Sequence, residues 1–246
     1  MKYRTLMLAA TLGGFMAFTA TPVQASLVGI TSEGSLGTVN TFDWSQLGPP
    51  GTELSGPQNV TTTTGGATGT ISSSGGDTFA VLQQSTSFLG NFAPGTNVLW
   101  NNYGARDIEM SLTYPVSGIG AQVQWIGAQP QSSCCTVQYA SGTFTVEAIA
   151  YDKINNIIGT FSENGVSNFA NDGSAIFIGM QDSVSDIYKL QFLITESSSN
   201  TNGLGIGPVS IAGTYAAPLP AGLPMFVFAL LSVFGVVQLK KQNKYT

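Results

Sequence analysis

Histidine is absent from this 246-residue chain. The absence removes the commonest general base, the commonest metal ligand and every Ser-His-Asp or Cys-His catalytic arrangement. Only 9% of the residues are charged, and a pair of carboxylates is the remaining route to acid–base chemistry. Asp107 and Glu109 would share one face of a strand, because residues two apart do, but solvated residues on a polar face are the simpler interpretation. We therefore predict a noncatalytic protein.

Lysine and arginine are also scarce, and five of the eight lie close to the two ends. Between residues 26 and 217 the only cations are Arg106, Lys153 and Lys189, against all 13 acidic residues, so the formal charge of this part is −10. Phosphate binding needs clustered cations, so we expect no nucleic-acid partner. Few charges together with abundant small polar residues are typical of an extracellular β-protein.

Cysteine occurs only twice, as the adjacent pair Cys134 and Cys135 in the polar loop Gln129–Gln138. In an oxidising compartment an even count suggests a disulfide. Adjacent Cα atoms lie about 3.8 Å apart, below the usual range of about 4.4–6.8 Å, so a bridge within the pair would be strained. We favour that bridge, while two free thiols and bridges to another chain stay open.

The first 25 residues have the pattern of a signal peptide. Lys2 and Arg4 precede a charge-free, mostly apolar stretch, Thr5–Ala20, and Val23 and Ala25 supply small residues at the −3 and −1 positions. A buried helix or an uncleaved anchor is the alternative. We expect signal peptidase to cleave after Ala25.

The other end resembles a membrane anchor. The stretch Ala216–Leu239 carries no charge, and at 1.5 Å per residue about 24 helical residues would span a ~30 Å hydrocarbon core. Three prolines, the last of them Pro224, confine the regular helix to the part that follows. A buried core helix is the alternative. Lysines flanking such a helix stay cytoplasmic, and here they are Lys240, Lys241 and Lys244.

The order of these features is specific. The motif Pro218-Leu219-Pro220-Ala221, the apolar helix and the basic end together resemble the VPLPA variant of the PEP-CTERM tails carried by exosortase substrates. This chain has Ala217 where the family usually has Val, and Lys where Arg is more usual. The resemblance covers residues 217–246 and implies an address: export, transient tethering at the inner membrane and recognition by an exosortase near the motif. Release to the cell surface or the extracellular matrix often follows in that family.

Residues 26–216 are predicted to form one mainly β domain. Apolar residues alternate in Ile108–Tyr114 and Ile119–Trp125, which places one face on a core and the other in water. The predicted strand Thr143–Asp152 is apolar enough to be covered on both sides. In the run Tyr188–Ile194 the pattern makes Phe192 a core residue and Gln191 a solvent-facing one that should tolerate change.

Turn signals separate these runs. Lys153–Asn156 predicts a hairpin turn before a strand at Ile157–Phe161, and the polar stretch Ser162–Ser174 precedes the apolar run Ala175–Ile178. The low-complexity stretch Thr61–Gly76 is predicted to be a flexible loop, with an O-glycan acceptor as the alternative. Short strands with frequent turns favour an antiparallel β-sandwich or jelly roll. The spacing from Phe79 to Ile211 also resembles the lectin-like sandwich often attached to such tails.

Calcium is the only cofactor that we keep as a candidate. Oxygen-bearing side chains flank several predicted loops, and calcium takes six to eight oxygen ligands. The spacing matches neither an EF-hand nor a nonapeptide repeat, so ordinary turn residues remain the simpler interpretation. These side chains are Asp152, Asn155, Asp172, Asp182 and Asp186.

Two functional classes stay open. In the first, the outer domain binds extracellular polysaccharide, with Trp100, Tyr103 and Trp125 as candidates for stacking on sugars, although the alternation favours a core position for Trp125. In the second, it is a structural or adhesion component of the matrix, which associates with protein partners or with itself and can use the cysteine pair as a crosslink.

Overall fold

A computed structural model describes residues 26–37, 39–64, 66–76, 78–101, 106–127, 141–198 and 201–213. The predicted signal peptide 1–25, the pair Cys134 and Cys135, and the predicted sorting tail 217–246 lie outside these residues. Within them, no helix is long and apolar enough to cross a membrane.

Almost all regular structure in the described part of the chain is strand. Two short 3-10 helices, Glu33–Leu36 and Trp44–Leu47, lie near its beginning. The strands are β1 (Val28–Ile30), β2 (Val39–Phe42), β3 (Glu53–Ser55), β4 (Gln58–Thr61), β5 (Thr68–Ser72), β6 (Thr78–Gln83), β7 (Asn97–Asn101), β8 (Asp107–Val116), β9 (Gly118–Gly127), β10 (Gly142–Tyr151), β11 (Ile157–Ser167), β12 (Ile176–Gln181), β13 (Ile187–Ser197) and β14 (Thr201–Ala212).

The strands form two antiparallel sheets. The larger has eight strands in the order β1-β12-β9-β14-β7-β6-β3, with β2 also paired to β14, and the smaller has six in the order β11-β10-β13-β8-β5-β4. The inner faces of both sheets contribute to one hydrophobic core. This arrangement confirms the mainly β, antiparallel prediction and agrees with a β-sandwich.

The core follows the alternation read from the sequence. Ile108 and Met110 on β8 are fully buried, and so are Leu190 and Phe192 on β13. Successive side chains of a strand point to opposite faces, so these residues lie on the inner face while their neighbours face outward. Trp125 is fully buried, as the alternation in β9 predicts.

The central strand β14 changes partners at an irregularity. Leu204–Ile206 pairs with β7 and Val209–Ala212 pairs with β2, while the register towards β9 shifts between Ile206 and Val209. Pro208, inside the shift, has no N–H to contribute to a ladder. The fully buried Trp44 donates its ring N–H to the carbonyls of Ile206 at 3.1 Å and Gly207 at 3.0 Å, and so satisfies acceptors at the interruption.

A second hydrophobic cluster covers part of the outer face of the larger sheet. Phe88 and Phe92 contact each other edge to face with ring centroids 5.6 Å apart, and they pack on outward residues of β6, β7 and β9. On β14 a Cβ at Gly205 or Gly207 would lie 3.4 Å from one of these rings. The prediction that the outer face of β9 meets water was therefore wrong, because Gln124 on that face is buried and accepts a hydrogen bond from the Asn91 N–H at 2.7 Å.

Two polar stretches that we predicted to be irregular form strands. The strand β11 continues to Ser167, because Ser162–Ser167 pairs with Gly142–Glu147. The Asn164-Gly165 dipeptide is not a turn there; Gly165 leaves room for the Phe144 ring, since a Cβ would lie 2.3 Å from its Cζ atom. The expected loop 61–76 contains β5, which pairs with both β4 and β8.

The predicted hairpin turn after β10 is confirmed. Asn155 has a φ of 63°, which asparagine tolerates better than most residues. Coverage of β10 is only partial on its outer side: Ile149 is buried there, but Thr143 is exposed.

The core position of Phe192 gives the first prediction. Phe192→Asp places an unpaired carboxylate between the sheets and should lower the free energy of unfolding by several kcal/mol, whereas Thr195→Asp, at an exposed position of the same strand, should change it by less than about 1 kcal/mol. Urea unfolding followed by tryptophan fluorescence measures both. Equal losses would contradict the register of β13.

Candidate binding face

One polar surface stands out in the described structure: the outward face of the six-stranded sheet, here called the outer polar face. It forms because β8, β10 and β13 bury one side and leave alternate, mostly polar residues on the other. Its central side chains are Asp107, Glu109, Ser111, Lys189, Gln191, Leu193, Thr145, Glu147, Ile149 and Tyr151.

Asp107 is buried at one side of this face, with 2% of its surface exposed. Its carboxylate accepts hydrogen bonds from Ser73 Oγ at 3.1 Å, the Ser74 N–H at 3.1 Å and Gln191 Nε2 at 2.9 Å. Asp107 and Glu109 do share the face, as predicted. The interpretation of Asp107 as a solvated residue was wrong, because these donors replace water around the carboxylate.

Gln191 connects Asp107 to Tyr151. Its Nε2 donates to Asp107, while its Oε1 accepts from the Tyr151 hydroxyl at 2.8 Å. The Lys189 ammonium lies 4.0 Å from the centre of the Tyr151 ring and 3.6 Å from a Glu109 carboxylate oxygen. Gln191 lies on the outer face, as the alternation predicts, but it is held at both ends of its amide, so its tolerance to change stays a prediction.

The neighbouring groups also change the pKa of Tyr151. Burial and then the negative charges of Glu109, Asp107 and Glu147 raise the pKa of its hydroxyl above the ordinary value of 10.0. The neutral phenol can therefore keep donating to Gln191 well into the alkaline range.

A depression of about 450 Å³ lies at one end of the outer polar face, where β10 begins and β11 and β13 end. Here it is called the Glu196 groove. Six of its nine lining residues have a hydroxyl, amide or carboxylate side chain, although more of the lining surface is apolar than polar. Within it, Thr145 Oγ1 donates to Asn164 Oδ1 at 2.9 Å. The lining residues are Thr143, Phe144, Thr145, Asn164, Gly165, Val166, Glu196, Ser197 and Ser198.

A smaller depression of about 260 Å³ lies near the β10–β11 turn. Lys153 and Lys189 line it together with Asp152 and Asn155. Asp152 holds the turn, because its carboxylate accepts from the N–H groups of Ile154 at 2.9 Å and Asn156 at 2.8 Å. Desolvation pushes the pKa of Asp152 upward, and the hydrogen bonds from Asn156 and Ile154 outweigh it, so the pKa lies below its ordinary value.

The tryptophans proposed for sugar stacking face inward. Trp125 is fully buried and Trp100 is 7% exposed within the second hydrophobic cluster, so neither presents a ring face to solvent. The prediction that Trp100 stacks on a sugar was therefore wrong. Tyr103 lies outside the described residues.

Three of the calcium candidates, Asp152, Asp172 and Asp182, make hydrogen bonds within turns. In the described part of the chain no group of three or more acidic, cysteine or histidine side chains could hold a metal ion. Asp152 has the turn contacts given above, and Asp172 and Asp182 likewise accept from backbone N–H groups two residues on, Ser174 at 3.0 Å and Val184 at 3.2 Å. Hydrogen bonds from Ser174 lower the pKa of Asp172. These three contacts are those of turn residues.

Several residues singled out from the sequence fall outside the described ranges: Cys134 and Cys135, the motif Pro218–Ala221, and Lys240, Lys241 and Lys244. What we missed were the Glu196 groove and the contacts of Tyr151, Lys189 and Gln191. The alternation in β10 and β13 already placed Tyr151 and Gln191 on one outward side, but the pairing of Tyr151 with Lys189 depends on the register between the strands.

The raised pKa of Tyr151 gives the second prediction. The unfolded chain loses the tyrosyl proton at lower pH than the folded one, so the neutral ring contributes stability below pH 10.0 that is lost as the pH rises through the folded pKa. Tyr151→Phe should therefore lose less stability than the wild type across this interval. Urea unfolding below and above pH 10.0 compares the two proteins, and parallel curves would contradict the shift.

No family model matches the sequence, and no curated protein matches it either. Among solved structures, the chain is similar to a DUF4465 family protein from Bacteroides caccae, at 12% identity over 72% of this chain and 100% of that chain, with a TM-score of 0.42. It is also similar to CsCBM6-3 from Clostridium stercorarium, solved in complex with cellobiose, at 7% identity over 55% of this chain and 95% of that chain, with a TM-score of 0.25. A third structure is the enzymatically active domain of tailspike protein 4 from bacteriophage CBA120, at 11% identity over 68% of this chain and 20% of that chain, with a TM-score of 0.26. TM-scores this low carry no argument about function, and the two-sheet fold described above rests on its own strand ladders.

Proposed function

We propose that this chain is an exported, exosortase-sorted surface or matrix protein whose lectin-like β-sandwich binds glycans without catalysis. The observation that carries the binding proposal is the Glu196 groove. A volume of about 450 Å³ lies within the range of small-ligand sites, roughly 300–1,000 Å³, and the groove is open on the sheet surface.

The chemistry of the groove suits a sugar ring. Thr143, Thr145 and Asn164 offer hydroxyl and amide groups that both donate and accept, and the Glu196 carboxylate is a strong acceptor for hydroxyl donors. Val166, which is 56% exposed, supplies an apolar surface next to them. A sugar presents the same combination of hydroxyls and apolar C–H faces.

A noncatalytic role is supported by the state of two carboxylates of the outer polar face, Asp107 and Glu109. Asp107 already accepts three hydrogen bonds and is buried, and Glu109 is paired with Lys189. Glycoside hydrolysis needs a second carboxyl group about 5–10 Å from the first, with the two pKa values set apart. Glu196 is the one carboxylate that lines the groove, so we assign it to binding.

The third prediction concerns glycan recognition. The mature protein from its native host should bind at least one polysaccharide on a glycan array, and Glu196→Ala should weaken that binding roughly tenfold, about 1.4 kcal/mol. The loss is expected because Glu196 supplies the groove's charged acceptor. Titration calorimetry with the selected glycan measures the affinity.

Glu53→Ala is the matched control, because Glu53 is an exposed carboxylate on β3 of the other sheet. It removes the same charge and should leave the affinity unchanged. Equal loss in both variants would indicate a general charge effect, and an array without any bound glycan would refute the binding proposal.

The fourth prediction concerns sorting. It rests on the Pro218–Ala221 motif, the charge-free stretch after it and the terminal lysines. Intact-mass spectrometry of protein recovered from the native host should find a chain that begins at Ser26 and lacks Lys240–Thr246. Recovery of the lysine end on the mature chain would refute exosortase processing, and retention of residues 1–25 would refute signal-peptide cleavage.

A further inference from the structure

The outer polar face carries more negative than positive charge. Lys189 is the one cation among its central side chains, and its ammonium is already paired with Glu109. Burial and then the nearby carboxylates raise the pKa of Tyr151, although this lysine lies over the tyrosine ring. The face is therefore negative even beside its cation. Its acidic side chains are Asp107, Glu109, Glu147 and Glu196.

The Glu196 groove lies at the end of this face that is away from the lysine, because the groove adjoins the beginning of β10 and Lys189 pairs with its last residue. Glu196 is exposed and is the one charged residue that lines the groove. Glu147 is the next outward residue of β10 after Thr145, the residue opposite Glu196. Successive outward residues of a strand are about 6.4–6.8 Å apart, so a second carboxylate adds to the negative potential of the groove.

The other two cations between residues 26 and 217 leave this charge unpaired. Lys153 lies in the turn after β10, at the opposite end of the strand. Arg106 adjoins β13, where its carbonyl accepts the Ile194 N–H at 2.8 Å, but its side chain is exposed and forms no ion pair with a described residue. Glu196 likewise has no ion pair in the described part of the chain, so its carboxylate is open to a ligand.

We propose that the Glu196 groove binds an amino sugar with a free ammonium group, in preference to neutral, N-acetylated or acidic sugars. This inference rests on the proposed glycan binding and names the class of sugar. A hydrogen bond between an ammonium and a carboxylate is roughly twice as strong as one between neutral groups. An acidic sugar would instead bring a third carboxylate close to Glu196 and Glu147, and juxtaposed like charges are unfavourable.

The other lining groups suit the rest of a sugar ring. The Asn164 amide accepts from Thr145 through its oxygen, which leaves its Nδ2 group to donate to a sugar hydroxyl. Val166 offers an apolar surface to the C–H face of the ring. A lysine side chain of a peptide would present the ammonium on a flexible stem, without hydroxyls for these partners. The lining therefore favours a sugar as the source of the ammonium.

The charge of the whole domain acts in the same direction. Residues 26–217 carry a formal charge of −10, and a field of one sign raises the rate at which oppositely charged ligands arrive. Salt screens interactions between exposed charges. The preference for an amino sugar should therefore weaken as the ionic strength rises.

Three oligosaccharides of equal length and linkage test the preference: oligomers of glucosamine, N-acetylglucosamine and glucose. They differ only in the substituent of one ring carbon, which is an ammonium, an acetamide or a hydroxyl at mildly acidic pH. Titration calorimetry with the mature protein should find the glucosamine oligomer bound about tenfold more tightly than either neutral oligomer. An oligomer of a uronic acid should bind more weakly than all three.

Glu196→Gln removes the charge and keeps the shape of the side chain. It should weaken binding of the glucosamine oligomer about tenfold and change the affinity for the neutral oligomers by less than about twofold, so that the preference disappears. Glu53→Gln is the matched control, because it removes an exposed charge on the other sheet and should leave all affinities unchanged.

Polylysine separates the sugar from its charge, because it carries ammonium groups without rings. Binding of polylysine that depends on Glu196 and is as tight as that of the glucosamine oligomer would overturn the assignment to a sugar. Equal affinity for the three oligomers, a preference that persists in Glu196→Gln, or an array on which only neutral or acidic glycans bind would overturn this inference and leave the glycan-binding proposal standing. An array without any bound glycan would refute both.

Discussion

The fold depends on the way β14 is accommodated in the middle of the larger sheet. This strand pairs along β9 on one side and must divide its other side between β7 and β2. Dividing a strand between two partners leaves backbone groups without a ladder, and buried groups of that kind cost free energy. Trp44 resolves the conflict, because its ring N–H reaches two carbonyls at the point of division. The indole thereby joins the core packing of the 3-10 helix Trp44–Leu47 to the register of the central strand.

The glycines of β14 determine what packs on the outer face of the larger sheet. With no side chains at Gly205 and Gly207, the sheet surface is low enough there for Phe88 and Phe92 to pack on it. The larger sheet is thus partly covered on both faces, while the smaller sheet keeps a polar outer face. This asymmetry places the candidate binding surface on β10, β11 and β13 and removes Trp100 from solvent.

How clearly each strand alternates decides which features could be predicted from the sequence. The strands β8, β10 and β13 are long, and each alternates clearly, so their core residues, such as Ile108 and Phe192, follow from the pattern alone. The strand β5 and the second half of β11 are small and polar, and they become strands because they pair with neighbours that provide the buried surface. The local sequence of β5 and β11 does not show which strands they pair with.

The contacts of the outer polar face were harder to predict for a related reason. Alternation shows that Tyr151 and Gln191 point outward, but the hydrogen bond between them requires the register of β10 against β13, and the groove at Glu196 requires the ends of three strands to coincide. Glycine was also ambiguous: Gly165 in an Asn-Gly pair indicates a turn locally, yet its role is to make room for Phe144. Such residues are explained by a partner distant in sequence.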